Sequence, residues 1–236
     1  MKDIRVKFIE KIQRTPTVMS FRFRASEKVN FIPGQFLQVI FDENDRLNKD
    51  LNKYLSFSSS PEKEYIEVTK RISESLFSKR LLNLKSNDEV LIKSPLGNVT
   101  FLNEYKAVVF LIGGIGITPV ISIIEYIRDR GLDTDVLLFY SNKREDDIAF
   151  REELDNWQKI NKNIKVVYIV SECPPKDKNC IFGYIDKAFI NEKKFDLLKR
   201  MVFIFGPPKM VKSMQDLCFE CGCQKENVKV ENFIGY

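Results

Sequence analysis

Histidine is absent from all 236 residues, and that one absence removes whole classes of chemistry. Ser-His-Asp and Cys-His hydrolases need an imidazole base, and histidine-ligated zinc enzymes need an imidazole ligand. Long apolar runs are missing too. Ala107 to Ile112 is among the longest, far short of the roughly 20 residues a spanning helix requires, so no membrane span is expected. There is no Pro/Ser/Gln-rich tract and no block of like charge, which excludes a disordered chain. Met1 to Glu10 alternates charged and apolar residues, unlike a signal peptide or an anchor, and a cytoplasmic protein is expected. Cysteines number only five, and an odd count without an export signal reads as free thiols.

What is present is an ordinary globular composition, 44% hydrophobic and 30% charged. A chain of this length can bury one large core or two adjoining ones. The net charge of +5 comes from 38 basic and 33 acidic residues mixed along the chain, too mild a bias to argue for nucleic acid.

The first hundred residues read as strands and turns. Met19, Phe21 and Phe23 alternate with Ser20, Arg22 and Arg24, the period of a half-buried strand. Phe36 to Phe41, Tyr65 to Lys70 and Glu89 to Lys93 are similar, separated by Pro33-Gly34, Ser58 to Pro61, and Pro95 with Gly97. One helix is expected from about Ser78 to Leu84, with Ser78 as its N-cap. Short strands with a single helix suggest a small antiparallel barrel.

Beyond about residue 105 the texture changes. Ala107 to Ile112 is continuously apolar, as in a strand covered on both faces. A helix follows from Pro119 to Arg130 and stops at Gly131. Asp135 to Tyr140, Ile164 to Val170 and Met201 to Phe205 repeat the strand signal, with an amphipathic helix through Ile148, Phe150, Leu154 and Trp157. Strands alternating with helices predict a doubly wound parallel sheet. The expected domains are 1–103 and 104–236.

Two loops at strand ends carry chemistry. Gly113-Gly114-Ile115-Gly116-Ile117-Thr118-Pro119 lies between the first strand and first helix of the second half. Glycines let backbone amides approach a pyrophosphate, and the helix amino terminus turns partial positive charge toward it. Thr118 suits an N-cap and Pro119 the first helical position. No lysine of the Walker type follows, and the spacing is not G-x-G-x-x-G. Phe205-Gly206-Pro207-Pro208 repeats the design after a later strand. Either loop alone is also a plain tight turn; the pair marks one crevice where a dinucleotide could lie. Hydride transfer suits a chain without imidazole, because the cofactors make the bonds and the protein supplies orientation.

In order along the chain stand Pro33-Gly34-Gln35-Phe36, Lys53-Tyr54-Leu55-Ser56, Ser58-Ser59-Ser60-Pro61, Val68-Thr69-Lys70-Arg71, Ser78-Lys79-Arg80-Leu81, Ser94-Pro95-Leu96-Gly97, Gly113 to Pro119, Gly206-Pro207-Pro208 and Glu231 to Tyr236. In this order they resemble the ferredoxin–NAD(P)H reductase superfamily over nearly the whole chain. The resemblance implies an α+β two-domain protein, an antiparallel β-barrel flavin domain followed by a doubly wound parallel α/β nicotinamide dinucleotide domain. It implies FAD as cofactor, NADPH or NADH as the nucleotide, and hydride transfer with the flavin in the interdomain cleft. The acceptor it implies is a separate electron-transfer protein such as ferredoxin or flavodoxin. The chain would otherwise serve as one subunit of a multi-subunit complex, or reduce flavin as a diffusible substrate.

Position by position, the resemblance places the Ser56 hydroxyl close to flavin N5, with Ser56 and Thr118 orienting the reacting rings. Lys53 stands where the family has a phosphate-binding arginine, and Leu55 where it has a ring-covering aromatic, with Tyr54 adjacent. Lysine loses the bidentate fork and leucine cannot stack. Arg71 and Ser78 are implied as flavin phosphate and ribityl contacts, with Ser75 in place of a common glycine. Gly113, Gly114, Gly116, Thr118, Gly206 and Pro207 are implied as nucleotide contacts. Phe205 replaces a common cysteine, and Phe233 and Tyr236 resemble the terminal segment that approaches the flavin. Lys143 and Arg144 follow the second parallel strand, where two cations could hold a 2′-phosphate or form a charged turn. Some relatives carry an iron–sulfur cluster, which takes four thiolates. The spacing of Cys218, Cys221 and Cys223 matches no such ligand set, and these cysteines read as small buried hydrophobes, with no metal expected.

Overall fold

Period-2 alternation in the first hundred residues resolves into six antiparallel strands in the computed structural model, which describes residues 1–192 and 196–233. They are β1 (Lys2–Thr15), β2 (Val18–Ala25), β3 (Phe36–Ile40), β4 (Asn52–Ser56), β5 (Ile66–Arg71) and β6 (Glu89–Leu96), in the order β4-β3-β6-β1-β2-β5. A bridge between Phe57 and Val68 joins the two edge strands, so the sheet curls closed one residue beyond Ser56. The enclosed face is apolar: Val6, Phe8, Phe21, Phe23, Val39, Phe57 and Val68 share one core. Each such phenylalanine contributes roughly 1.5–3 kcal/mol by leaving water.

The expected helix is present but starts earlier, as α1 (Leu76–Leu82). Ser75, not Ser78, is its N-cap, accepting the Ser78 N–H on its hydroxyl. Two serines three apart both carry a cap's chemistry, and Ser78 is drawn inward with no exposed surface.

The continuously apolar segments form a second sheet, parallel throughout. Its strands are β7 (Ala107–Gly113), β8 (Asp135–Asn142), β9 (Ile164–Val170), β10 (Cys180–Phe182), β11 (Met201–Gly206) and β12 (Val228–Asn232), in the order β10-β9-β8-β7-β11-β12. Helices cover both faces. The α5 helix (Pro208–Glu220) packs Val211, Met214 and Leu217 with Val109, Leu111 and Val167. The opposite face carries α3 (Arg151–Ile160), whose Asp155 accepts the Tyr168 hydroxyl at 2.8 Å. A short α4 (Lys187–Glu192) lies between β10 and β11.

Two local expectations are corrected, and two strands were not foreseen. The helix after the glycine loop, α2 (Thr118–Asp129), grows out of a 3₁₀ turn over Gly114–Ile117, so Thr118 is its first residue rather than a cap. Ile148 and Phe150 are buried but lie before α3, which is entered through a left-handed Phe150 at φ 59°. Leu154 and Trp157 are buried as well, and the spacing of all four mimics a helical stripe although the first two precede the helix. The edge strands β10 and β12 give no clear periodicity, one being three residues long and the other half-buried.

The chain divides into two compact units, Met1–Phe101 with Thr118–Arg130, and Leu102–Ile117 with Gly131–Tyr236. Helix α2 therefore belongs with the antiparallel strands.

Candidate functional site

In the first unit, the edge strand β4 carries Lys53, Tyr54, Leu55 and Ser56, and its start is staked by Asn52. The Asn52 amide donates to the carbonyls of Asp42 and Asp45 at 3.0 and 2.8 Å and accepts the Phe41 and Asp42 N–H groups, both at 3.0 Å. Sequence reasoning missed Asn52; its signal is an asparagine at the end of an Asp- and Asn-rich loop, opening a strand. At the other end Gln35 bridges two loops, accepting the Ile32 N–H at 2.8 Å and donating to the Gly97 carbonyl at 3.0 Å.

Alternation along β4 divides its residues between two faces. Leu55 lies in the barrel core at 3% exposure, whereas Tyr54 on the other face is 57% exposed, edge-on to Phe36. The two therefore cannot cover the same ring face. Ser56 is 7% exposed, yet its hydroxyl bonds to no described residue. Lys53 is half-buried and makes no ion pair with a described residue. Its neighbour Lys70 is buried, and burial first, then the Lys53 charge, push that ammonium down to about 8. The Lys70 ammonium donates to the Arg71 carbonyl at 3.0 Å. The Lys53 charge thus disfavours the protonated Lys70, and an anion such as a phosphate would relieve that repulsion.

Arg71, at the end of β5, donates to the Thr17 hydroxyl at 3.1 Å. The Ser78 hydroxyl lies 3.1 and 3.3 Å from those of Ser75 and Ser73 and accepts the Ser73 N–H at 3.2 Å. Thr118, 2% exposed, also belongs to this unit.

In the second unit, the loops after β7 and β11 meet. A side chain on Gly116 would place its Cβ 2.4 Å from the Phe205 carbonyl oxygen, so only glycine permits this approach. Gly113 and Gly206 both face the Met210 sulfur, where a Cβ would lie 2.8 and 2.9 Å away. At Gly114 a Cβ would meet nothing within 4 Å. The result is a cradle of backbone at the carboxyl ends of two parallel strands, with open space where Gly114 lacks a side chain. Backbone bared of side chains at strand ends is what pyrophosphate sites use. Pro207 is exposed and occupies the N-cap position of α5.

Phe205 is wholly buried and continues the ring stack Phe110–Phe203–Phe205, with centroids 5.3 and 6.1 Å apart. Phe233 donates its N–H to the Gly206 carbonyl at 2.9 Å and tilts its ring toward Phe205. Tyr236 lies outside the described residues. Lys143 and Arg144 both lean on Glu172, at 2.8 and 3.3 Å, and hold its carboxyl below the usual range.

Glu231, opposite Phe205 on β12, has an enclosed Oε2 with no partner among the described residues, and burial pushes its carboxyl up to about 7. A raised carboxyl stabilises the fold while protonated, and that contribution fades as pH climbs from about 4.5 through about 7. Glu231→Gln should therefore gain on the order of 1–2 kcal/mol over the parent at pH 8 and little at pH 4. Urea denaturation of both chains at the two pH values checks this, and parallel pH profiles would refute it.

The thiols lie apart from these groups. Cys218 and Cys223 are buried and hydrogen-bonded to each other, with Cys218 pushed up to about 12 by burial. Glu145, Asp177 and Cys180 bring donor atoms within 4.8 Å of one another, but Arg151 already donates to Asp177 and Cys180.

Two family descriptions match, in chain order: an oxidoreductase FAD-binding domain over residues 3–101 and an oxidoreductase NAD-binding domain over residues 110–216. The chain is 27% identical over 228 residues to NADH-cytochrome b5 reductase 1 of Aspergillus terreus, covering 92% of this chain and 77% of that protein. It is 27% identical over 237 residues to nitrate reductase [NADH] 1 of Nicotiana tabacum, covering 89% of this chain but only 26% of that longer protein. Among solved structures, ferredoxin-NADP+ reductase from Plasmodium falciparum superposes with a TM-score of 0.79 at 20% identity, covering 98% of this chain and 97% of the other. The likeness to that structure is one of fold.

Proposed function

The chain belongs to the ferredoxin–NAD(P)H reductase superfamily of FAD- and NAD(P)-dependent oxidoreductases, and from that premise we propose that it oxidises NADH and passes the electrons singly to a separate haem protein. The carrying observation is the backbone cradle of Gly113, Gly114, Gly116 and Gly206, shaped for a dinucleotide pyrophosphate. Three features support the finer reading. Glu172 already engages Lys143 and Arg144, which leaves those cations less to offer a 2′-phosphate. The two sequence relatives named above carry NADH in their names, which pair that nucleotide with cytochrome b5 and with nitrate reduction. A ferredoxin acceptor is named only for the Plasmodium falciparum reductase, whose likeness to this chain is one of fold.

FAD, held by the first unit, would supply the redox chemistry of hydride acceptance and electron release. The protein's part is to hold and orient. Lys53, with Lys70 beside it, would neutralise the flavin phosphates, and the Ser56 hydroxyl, which bonds to no described residue, would hydrogen-bond the ring. Thr118 would fix the nicotinamide side, where an ångström of misplacement is expensive. The absorption spectrum of the purified chain, before and after anaerobic addition of NADH or NADPH, tests the reading. Bleaching of a flavin band by NADH well below the NADPH concentration needed is the expected result. A colourless chain that ignores both nucleotides when supplied with FAD would overturn it.

Ser56→Ala should keep flavin bound and slow its reduction about ten-fold or more, measured by stopped flow at saturating NADH. An unchanged rate removes Ser56 from the mechanism. One observation favours a second reading, in which flavin is a diffusible substrate: Leu55 is sunk in the barrel core and leaves the ring no stacking partner at that position. Yellow colour retained through gel filtration would exclude it.

A further inference from the structure

Helix α2 is apolar around most of its girth, with Val120, Ile121, Ile123, Ile124 and Ile127 buried. Thr118, Ser122, Glu125 and Asp129 interrupt this at i, i+4, i+7 and i+11, one face of the helix. Ser122 has no exposed surface, and a polar group so placed must find a partner. It donates its hydroxyl proton to the Ser59 carbonyl at 2.7 Å. One turn on, Glu125 accepts the Ser60 N–H, also at 2.7 Å. Lys63 completes the contact, 3.4 Å from Glu125 and 2.9 Å from Asp129. Burial lifts the Glu125 carboxyl above its usual range, opposed by the Ser60 amide and Lys63.

The strap that receives these bonds begins two residues after Ser56. Ser58, Ser59 and Ser60 are all buried, and β5 grips their other side: the Ser59 hydroxyl accepts the Glu67 N–H at 3.0 Å and Ser58 bonds Thr69 at 2.7 Å. The path from Thr118 to Ser56 is thus two helical turns, two short hydrogen bonds and a clamped tripeptide. All of it lies in the unit of the antiparallel strands.

We propose that Ser122 and Glu125 are positioning residues for electron transfer from nucleotide to flavin, holding Thr118 and Ser56 in one frame through their bonds to Ser59 and Ser60. This rests on the function proposed above. It assigns the two residues no contact with either cofactor. Their effect falls on the rate of transfer once both cofactors are bound, not on binding itself.

The test compares Ser122→Ala, Glu125→Ala and Glu125→Gln in the full chain. Exchange of the Ser60 amide, followed by NMR without nucleotide, should accelerate about ten-fold or more in Glu125→Ala. It should stay near the parent in Glu125→Gln, whose amide oxygen still accepts the bond. Flavin content and the NADH concentration for half-maximal reduction should change little. The limiting rate of flavin reduction should fall about ten- to a hundred-fold in the two alanine variants and recover in Glu125→Gln. A faster-exchanging Ser60 with an unchanged limiting rate makes the contact a structural clip and overturns the proposal, as does unchanged exchange. If Glu125→Ala does not fold, Ser122→Ala and the glutamine variant decide by the same criteria. A parent chain that neither binds flavin nor responds to NADH fails the underlying reading instead, and the exchange results remain interpretable.

Discussion

Gly116→Ala is expected to destabilise the chain by about 3 kcal/mol and to abolish tight nucleotide binding. The added Cβ would lie 2.4 Å from the Phe205 oxygen, 2.7 Å from its carbonyl carbon and 3.0 Å from the Gly206 nitrogen. All three atoms are backbone, at the end of a strand buried between neighbours, so no side chain can rotate away to relieve the clash. Either the 3₁₀ turn or the β11 end must shift, and both line the cradle. Gly114→Ala separates the two effects. Its Cβ meets nothing, so only the left-handed conformation at φ +52° opposes it, a cost of roughly 1–2 kcal/mol. The methyl would nevertheless occupy the space a pyrophosphate needs. Urea denaturation should therefore rank Gly116→Ala well below Gly114→Ala, while NADH titration shows both weakened at least about ten-fold. A Gly114→Ala chain with parental nucleotide affinity would mean that the cradle is only a turn.

The cradle was legible in the sequence because its signals are local: glycines at the junction of an apolar run and a helix, twice. The barrel strands were legible for the same reason, since alternation such as Met19, Phe21 and Phe23 is written within a few residues. Failures occurred where a local signal had two readings. Ser75 and Ser78 both look like caps, and only packing shows which one turns inward. Ile148 and Phe150 are buried at helical spacing from Leu154 without belonging to α3. The contacts between α2 and the strap after Ser56 were illegible for a different reason. Ser59 with Ser122 and Ser60 with Glu125 are separated by 63 and 65 residues, and nothing in either segment announces the other. The serine run and the helix were each foreseen; the complementarity between them is a property of the fold.

The same tripeptide is held from its far side by a buried charge, and the second large effect is expected there. Glu67 is 2% exposed on β5. Its carboxylate accepts the Arg22 Nε proton at 2.8 Å, two contacts from Arg14 at 3.2 Å and the Ser58 hydroxyl at 3.2 Å. The Arg14 side chain is only 10% exposed and also donates to Ser20 at 2.8 Å. Removing the carboxylate leaves that guanidinium buried without its counter-charge, so Glu67→Ala should cost about 3–5 kcal/mol. At roughly 2–4 °C per kcal/mol for a chain of this size, the melting midpoint should fall by about 10 °C. Arg14→Met strands a carboxylate that still has Arg22, and should cost less. In the double variant neither charge is stranded, so its loss should be smaller than the sum of the singles by at least about 1 kcal/mol, the coupling expected of residues in one network. Because Ser58 loses an anchor two residues from Ser56, flavin should also leave Glu67→Ala more readily than Arg14→Met, measured as released fluorescence at a temperature where both are folded. Strictly additive stabilities in the cycle would mean that the three charges act independently, and that the barrel holds the strap after Ser56 by packing alone.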